Sequence, residues 1–338
     1  MIRLCSVLAV LAVANAAFGQ TTPLRIVTFN AEILTAPGVR AGQLQKFRFD
    51  AARNGQLDRV ANVIEVLTPD VLNLVEVTSV EAVDALVERL HAKGHTDYRG
   101  YHIESSDRFS GMDVALITRL PVDEIDGKPI DKVWSEEDDP TWRAAYRFTN
   151  WDGDPDSDTT SLGRNSFYFL TVAGHKLGFL GLHLKSNPSS GYANAKRTAE
   201  VDVARRAIRS KIVAKGYLPV VLGDLNDYDP DVPDRDDTRS TLTEAVRQLK
   251  DFDPDAAGDE LVNVASRIAN QADRYTSHWD RNENGAHDGD DVYTMIDHIL
   301  LPKQLEPFIT RAFIAHVVDL TTSDHYPVVV DLALPPAP

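Results

Sequence analysis

The sequence predicts a mixed α/β fold, built as one domain over residues 21–338. Three observations predict it: short β-branched apolar segments typical of strands, longer segments with apolar residues at helical spacing, and the mixing of both along the whole chain. The 338 residues are enough for one large core. No internal repeat or low-complexity linker divides the chain, although we expect insertions near residues 121–163 and 227–240.

The first twenty residues differ in composition from the rest. Arg3 precedes an almost unbroken apolar run from Leu4 to Ala14, and small residues follow up to Gly19. This pattern is typical of a secretory signal peptide, and the run is too short to span about 30 Å of hydrocarbon. We therefore expect a secreted or periplasmic protein with no stable membrane anchor. Cys5 is the only cysteine, so the mature chain would contain no disulfide.

The first predicted elements form a strand, a helix and a second strand. Leu24 to Asn30 is apolar and β-branched, which predicts a strand. Gly55 to Leu67 has apolar residues at helical spacing, and Pro69 stops the helix. Val71 to Val77 is a short apolar segment, so we predict a buried strand there.

The next elements follow directly. Thr78 and Glu81 predict a capping box for a helix whose apolar face runs from Val80 to Leu90. Asp113 to Thr118 predicts a strand. Residues 121–163 are acidic and show no periodicity, so we interpret them as a functional or mobile insertion.

The second half of the chain repeats the alternation of strands and helices. Phe167 to Val172 and Leu177 to Leu184 predict a hairpin that turns at Ala173–Lys176. Tyr192 to Lys215 predicts a long helix, and Leu218 to Gly223 predicts a buried strand.

An acidic loop over residues 227–237 follows that strand. The last predicted strands are Val292 to Leu301 and Tyr326 to Leu332.

Polar side chains recur where the predicted strands end. Such groups are costly to bury unless they are paired or bind a metal, and sites in α/β proteins lie beyond strand ends. Each residue alone has an ordinary alternative: a turn for Asn30, an exposed edge for Glu76, a core histidine for His183, an Asx turn for Asp224 and Asn226, and a turn or N-cap for Asp324. The ordinary explanation would have to hold at every position at once, which favours a shared site.

Six segments of the chain resemble the successive motifs of one family, in that family's order. They are Thr28-Phe29-Asn30, Asn73-Leu74-Val75-Glu76-Val77, Gly181-Leu182-His183-Leu184-Lys185-Ser186, Gly223-Asp224-Leu225-Asn226, Ile296-Asp297-His298-Ile299-Leu300 and Ser323-Asp324-His325-Tyr326-Pro327-Val328. The sequence is therefore identified as similar to the endonuclease/exonuclease/phosphatase superfamily. The resemblance implies a four-layer sandwich, with two packed mixed sheets flanked by helices.

The resemblance also implies site roles. Glu76 would hold a metal ion with Asn30 alongside and Asp324 contributing, and hard oxygen ligands favour Mg²⁺ or Mn²⁺. His325 would act on the attacking water or the phosphate, and Asp297 would orient it.

Asp224 and Asn226 would position the water and a phosphoryl oxygen. His183 would protonate the leaving group or bind the phosphate. With a histidine at position 183, the chain resembles the deoxyribonuclease and sphingomyelinase branch of the family. Abasic-site endonucleases carry a tyrosine in that region. Asp113 and Arg164 are substrate-binding candidates, and a surface arginine is an equally good explanation of Arg164.

A second acid-rich segment begins with the D-x-N-x-N-G pattern of a calcium loop. Its candidate Ca²⁺ ligands are Asp280, Asn282, Asn284, Asp288 and Asp291. The twelfth position is aspartate where such loops normally carry a bidentate glutamate. The alternative is an Asn-Gly hairpin turn with acidic neighbours, which we favour.

The predicted function is hydrolysis of a phosphate ester, most simply a phosphodiester as in a secreted nuclease. The alternatives are a sphingomyelinase-like phospholipase, a phosphomonoesterase, or a catalytically silent binding module on the same fold. The net charge of −16 weakens a nucleic-acid substrate without excluding it. A nuclease should present basic residues beside its groove, and four residues before the first helix are candidates: Arg40, Lys46, Arg48 and Arg53.

The insertion contains three tryptophans. We expect Trp134, Trp142 and Trp151 to close a small satellite core rather than to line a substrate or membrane surface. No obligate protein partner is indicated.

Overall fold

Two large β-sheets form the centre of the computed structural model, which describes residues 21–40, 42–135, 140–237, 243–285 and 288–337. The strands are Thr22–Leu34 (β1), Val71–Val77 (β2), Arg99–Tyr101 (β3), Asp113–Thr118 (β4), Ala144–Thr149 (β5), Pro155–Thr160 (β6), Asn165–Val172 (β7), His175–His183 (β8), Leu218–Asp224 (β9), Leu261–Asn263 (β10), Ser277–Trp279 (β11), Val292–Thr294 (β12), Asp297–Pro302 (β13), Ile309–Ile314 (β14) and Val328–Leu334 (β15). The helices are Asp50–Leu67 (α1), Val80–Ala92 (α2), Gly191–Ala207 (α3) and Ala245–Lys250 (α4).

Each large sheet has a parallel pair of strands at its centre. The first sheet has the order β14-β15-β1-β2-β4-β3, with β1 and β2 parallel and joined through α1. The second has the order β10-β13-β9-β8-β7, with β8 and β9 parallel and joined through α3. The remaining pairs within both sheets are antiparallel. A parallel pair sends the carboxyl ends of two strands to one edge, so each sheet offers one such edge.

The two sheets pack face to face, and helices cover both outer faces. Alternate residues of β8 separate the two sides: Leu177 and Phe179 join the core with the first sheet, whereas Leu180 and Leu182 join the core under α3 and α4. Helices α1 and α2 bury their apolar faces in the first core. The predicted mixed α/β sandwich of two sheets and flanking helices is confirmed.

The first half of the chain follows the prediction with small differences at helix starts. Helix α1 begins five residues earlier than expected, at Asp50, and buried Arg53 bonds the carbonyl oxygens of Phe47 and Val39. The predicted cap of α2 is wrong by one residue. Ser79 accepts the N–H of Ala82, because the Thr78 hydroxyl is already donated to a backbone carbonyl of β1.

The predicted strand over residues 292–301 is wrong as one element. It is divided into β12 and β13, which belong to different sheets. The Thr276 hydroxyl accepts the N–H groups of both Ile296 and Asp297, at 3.0 and 2.9 Å. This contact redirects the chain between the two strands. The antiparallel strand β14 then intervenes before β15, so the Asp297 strand is not the penultimate one.

The predicted helix over residues 192–215 changes geometry at its end. Helix α3 is α-helical to Ala207, after which Ile208–Ile212 form a wide π turn that keeps both isoleucines buried. A 3₁₀ turn and Gly216, at φ 78°, end the segment.

The β7–β8 turn is tighter than predicted. It uses only Ala173 and Gly174, both at positive φ, and the strands pair up to Val172 and His175.

The 121–163 insertion contains a hairpin of β5 and β6 that packs on α3, which its lack of periodicity did not predict. Only Trp142 packs against a core; Trp134 is exposed and Trp151 is fully exposed, so the expected satellite core is wrong for these two. The predicted signal peptide, residues 1–20, lies outside the described residues, as do parts of both predicted insertions, residues 136–139 and 238–242. Within the described ranges, no helix combines the length and apolarity needed to span a membrane.

Candidate active site

Glu76 and Asn30 lie at the adjacent ends of the parallel strands β2 and β1. Glu76 occupies a bulge in β2 at φ 61°, a conformation that is strained for a residue other than glycine and turns its carboxylate out of the strand ladder. Its Oε1 accepts the Asn30 side-chain N–H at 3.0 Å, and its Oε2 accepts the Ile33 backbone N–H at 3.1 Å. The Asn30 oxygen accepts the N–H of Glu32 instead. Asn30 therefore orients Glu76 in this structure through its amide nitrogen.

Asp224 brings the second sheet to the same point. Asn30 Nδ2 also donates to Asp224 Oδ2 at 3.1 Å, which joins the edges of the two sheets. Gly223 makes the approach of β9 to β8 possible, since it has φ 133° and a Cβ there would lie 2.0 Å from the Leu182 carbonyl oxygen. Asn226, at φ 50°, donates its backbone N–H to Asp224 Oδ1 and its side chain to the Leu184 carbonyl. The predicted Asx turn is thus present and still serves the site.

His183 ends β8 beside Asp224, its register partner on β9. Its Nε2 lies 3.6 Å from Glu76 Oε1 and 3.7 Å from Asp224 Oδ2. Arg164 reaches the same nitrogen at 3.2 Å and also donates to the Leu184 carbonyl. Because a guanidinium only donates, this contact requires an unprotonated His183 Nε2 and so places the proton on Nδ1, a buried nitrogen with no hydrogen-bond partner among the described residues. Burial first, then the charge of Arg164, lowers the pKa of His183 well below its usual value.

His325 forms a buried pair with Asp297. Its Nδ1 lies 2.7 Å from Asp297 Oδ2, and its Nε2 lies 4.0 Å from Asp224 Oδ2. Burial alone would lower its pKa, but the charges of Asp297, Asp324 and Asp224 together raise the pKa of His325 well above its usual value. The two imidazoles of the site therefore favour opposite protonation states, as an acid and a base require.

Burial and neighbouring charges raise the pKa of both central carboxyls. Burial raises the pKa of Glu76, against the opposing hydrogen bond from Asn30. Burial and the charge of Asp297 raise the pKa of Asp224 to about 7. Two groups of three residues each bring their ligand atoms within 4.8 Å of one another. The first group is Glu76, His183 and Asp224, and the second is Asp224, Asp297 and His325. A bound cation would relieve this mutual repulsion, so the donor set fits a divalent metal.

Asp324 lies at the rim of the site beside Glu32, which the sequence analysis missed. The side chain of Asp324 is 43% exposed, and its Oδ1 is 3.9 Å from His325 Nε2. Glu32 Oε2 accepts the Asp324 backbone N–H at 2.9 Å and pairs with Lys46. Burial, with the charge of Asp324, raises the pKa of Glu32 to about 7. Glu32 and Ile33 both have positive φ, at 49° and 53°, and the strand register shifts after Asn30, so strand alternation could not predict the position of Glu32.

Asp113 is buried but faces a neighbouring loop rather than the central carboxylates. Its oxygens are 2.7 Å from the Ser105 N–H and 2.6 Å from His102 Nε2. A cavity of about 410 Å³ adjoins it, with Arg40 and Arg108 in its wall. Of the other basic candidates, Lys46 is paired with Glu32, Arg48 is exposed, and Arg53 is buried in the scaffold.

The candidate calcium loop connects β11 and β12 and lies mostly at the surface. The side-chain amides of Asn282 and Asn284 both donate to Asp288 Oδ2, at 3.0 and 2.6 Å. Asp280 accepts the N–H of Gly285, and Asp291 accepts the N–H of Asp288. Among the described residues, this loop contributes to no group with the spacing of metal ligands. The favoured Asn-Gly hairpin turn is wrong, because β11 and β12 pair only up to Trp279 and Val292, and Asn284 does not have the positive φ that such a turn requires. The calcium site stays a prediction.

The model of one protein family matches most of the chain. The model of the Endonuclease/Exonuclease/phosphatase family matches residues 27–325. The chain belongs to this family. Its members are typically metal-dependent phosphoesterases. No curated protein sequence matches the chain.

Solved structures share the fold at low sequence identity. TDP2 from C. elegans has a TM-score of 0.54 at 15% identity, over 94% of this chain and 76% of that one. An AP endonuclease from Archaeoglobus fulgidus has a TM-score of 0.54 at 16% identity, over 91% of this chain and 98% of that one. D. rerio TDP2 complexed with single strand DNA product has a TM-score of 0.50 at 17% identity, over 92% of this chain and 98% of that one. These likenesses concern the fold alone.

Proposed function

We propose that this protein is a secreted, divalent-metal-dependent phosphodiesterase with nuclease-like activity. The convergence of Glu76, His183, Asp224 and the His325–Asp297 pair is the observation that carries the proposal. Phosphodiester hydrolysis needs an oriented water molecule, groups that neutralise the negative charge on the phosphoryl oxygens, and a proton for the leaving oxygen.

The two histidines divide the proton transfers. His325 is charged and held by Asp297, so it stabilises phosphoryl charge and donates a proton at Nε2. Neutral His183 offers a bare Nε2, and Arg164 beside it binds a phosphoryl oxygen. Asn226 holds Asp224 through a backbone N–H, so the carboxylate is fixed where it orients water.

Glu76 and Asp224 would hold the metal ion, with Asn30 orienting Glu76 and Asp324 at the rim. When bound, Mg²⁺ or Mn²⁺ supplies charge neutralisation at the phosphoryl oxygens. Raised carboxyl pKa values in a partly enclosed cluster support this assignment.

A nucleic-acid strand is the substrate that we favour. The cavity beside Asp113 has Arg40 and Arg108 in its wall, which can bind further phosphates of a polymer. The same wall contains Glu104, Asp107 and Asp113, which oppose a phosphate there, so the arginines are weak support. A TDP2 structure carries a single strand DNA product on the same fold.

A phospholipid headgroup is the second candidate. The hairpin of β5 and β6 presents Trp151 fully exposed at its tip, which an enzyme acting at a lipid surface could use. The same hairpin carries Asp152, Asp154, Asp156 and Asp158, which disfavour an anionic surface.

The experiment is a substrate panel with purified protein at pH 7.5 and 5 mM Mg²⁺. Bis-p-nitrophenyl phosphate, single-stranded DNA, sphingomyelin vesicles and p-nitrophenyl phosphate separate the phosphodiester, nuclease, lipid and monoester activities. We expect hydrolysis of the first two and its loss with EDTA. Inactivity on every substrate with Mg²⁺, Mn²⁺ and Ca²⁺ would sink the proposal.

Secretion is tested separately. Mature protein from the periplasm or culture medium should begin between about residues 17 and 21 by N-terminal sequencing. An intact residue 1 on cytoplasmic protein would contradict the export.

A further inference from the structure

Behind the candidate site lies a buried pair of opposite charges, Arg197 and Asp227, that the proposed chemistry does not use. Arg197 lies on α3, Asp227 directly follows Asn226, and neither side chain is exposed to solvent. Arginine and aspartate are rarely buried unless they are paired, because removing both from water costs several kcal/mol per ion. The two side chains therefore need a structural or functional explanation.

Arg197 fixes the backbone that leaves β8 just after His183. Its Nη1 donates to the Lys185 carbonyl at 2.7 Å, and its Nη2 donates to the side chain of Asn194. Glu200, one turn further along α3, accepts the Lys185 N–H at 2.8 Å. The Lys185 backbone is thus held at both its N–H and its carbonyl by one helix.

Asp227 fixes the segment that leaves β9 just after Asn226. Its side chain accepts the Thr243 hydroxyl, and its carbonyl is 2.9 Å from His298 Nε2. Arg197 Nε lies 3.9 Å from Asp227 Oδ2 and has no hydrogen-bond partner within the described part of the chain. The guanidinium therefore stands between the two segments and contacts both.

These two segments carry the groups of the candidate site. His183 and Asp224 are register partners at the ends of β8 and β9, where the strand ladder stops. Beyond them, the Leu184 N–H donates to the Asp224 carbonyl, and Asn226 donates to the Leu184 carbonyl. Past these contacts, Arg197 is the next link between the two segments.

We propose that Arg197 is a positioning residue, which sets the spacing between His183 and the Asp224–Asn226 segment without touching the substrate. The inference rests on the proposed function. A displacement of about 1 Å in such a site costs on the order of 10²-fold in rate.

The test compares Arg197→Met with Val203→Ala, a control that removes buried apolar volume from the same helix. Both variants should lower Tm. Only R197M should lower kcat, by about 10²-fold with KM within twofold, on bis-p-nitrophenyl phosphate with Mg²⁺. R197M should also shift the ring resonances of His183 in an NMR spectrum, whereas V203A should leave them in place.

A second variant keeps the test decisive if R197M does not fold. Arg197→Lys retains the charge on a single donor nitrogen, so it should fold, but one ammonium cannot reach both segments as the separate nitrogens of the guanidinium do. We expect about a tenfold loss of kcat. Folded R197M with wild-type kcat and unshifted His183 resonances would overturn the inference, as would wild-type kcat in R197K where R197M is unfolded.

The two proposals fail in different ways. Wild-type protein that hydrolyses no phosphodiester would remove the proposed function whatever Arg197 does. The His183 resonances still report positioning in that case, since they need no turnover. An active wild type with an equally active R197M would remove only the positioning role.

Discussion

The strand-end cluster and the loop over residues 280–291 are both rich in carboxylates, yet they satisfy those carboxylates differently. In the cluster, Glu76 and Asp224 lie below the surface, and burial raises the pKa of each. In the loop, Asp288 is exposed, and hydrogen bonds from Asn282 and a backbone N–H lower its pKa.

The difference teaches that acidic residues at plausible spacing do not by themselves indicate a metal site. The loop carboxylates have hydrogen-bond donors from their own hairpin, so a cation would have to displace them. The cluster carboxylates lie close together and are shielded from water, so burying their negative charges costs free energy. A bound cation would reduce that cost.

The largest expected effect comes from removing the imidazole of His325. His325→Ala should lower kcat by about 10³-fold on bis-p-nitrophenyl phosphate with Mg²⁺, because the variant loses the proton donor held by Asp297. Steady-state kinetics measures the loss. His95→Ala is the matched control, since that histidine pairs with Glu65 away from the cluster. Full activity in H325A would exclude the pair from the chemistry.

The next effect concerns metal binding. Glu76→Gln should abolish the rise in Tm that Mg²⁺ produces, because a neutral amide binds a hard cation more weakly. A ligand at about 100 times its Kd adds about 2.7 kcal/mol, or roughly 5 °C for a chain of this size. Differential scanning fluorimetry measures both proteins. An unchanged Mg²⁺ response in E76Q would move the metal site elsewhere.

The pH should modulate that response. The folded pKa of Asp224 is raised from 3.8 to about 7, so its contribution to stability without metal is full below 3.8 and is lost as the pH rises through 7. Metal binding needs the ionised carboxylate and releases the proton. The gain in Tm with Mg²⁺ should therefore be larger at pH 8 than at pH 6. Equal gains would show that Asp224 does not couple to the ion.

The smallest effect belongs to the loop. Asp288→Asn should change Tm by less than about 2 °C and activity by less than twofold, because an exposed carboxylate is replaced outside the cluster. Ca²⁺ should raise the Tm of wild type and variant equally. A calcium response lost only in D288N would establish the loop as an ion site and end the contrast.

The sequence could predict the strand-end cluster because its residues follow apolar strands that periodicity identifies. Glu76 lies near the end of a recognisable buried strand, and Asp224 is the last residue of another. Burial of a strand and polarity at its end are both visible in local sequence. The family motifs then supplied the sandwich architecture, which periodicity alone does not specify.

The remaining features depend on contacts between distant residues. The break between β12 and β13 depends on the hydroxyl of Thr276, twenty residues earlier. From local sequence, Arg197 is expected to be an ordinary surface residue of a helix. Its burial depends on contacts with Lys185 and Asp227, which only the fold brings close. The exposure of Trp151 likewise depends on a hairpin whose strands carry no clear alternation. Long-range hydrogen bonds and packing decide such features.

The pairing of β1 with β15 has a consequence for biosynthesis. Thr22 lies opposite Leu334, so an early segment of the chain waits for a late one before its sheet is complete. His325 arrives in the same late stretch. A nascent polypeptide that has not yet reached residues 325–334 therefore lacks both β15, the strand between β1 and β14, and the imidazole of His325. The first sheet and the candidate site should then be completed together, late in folding.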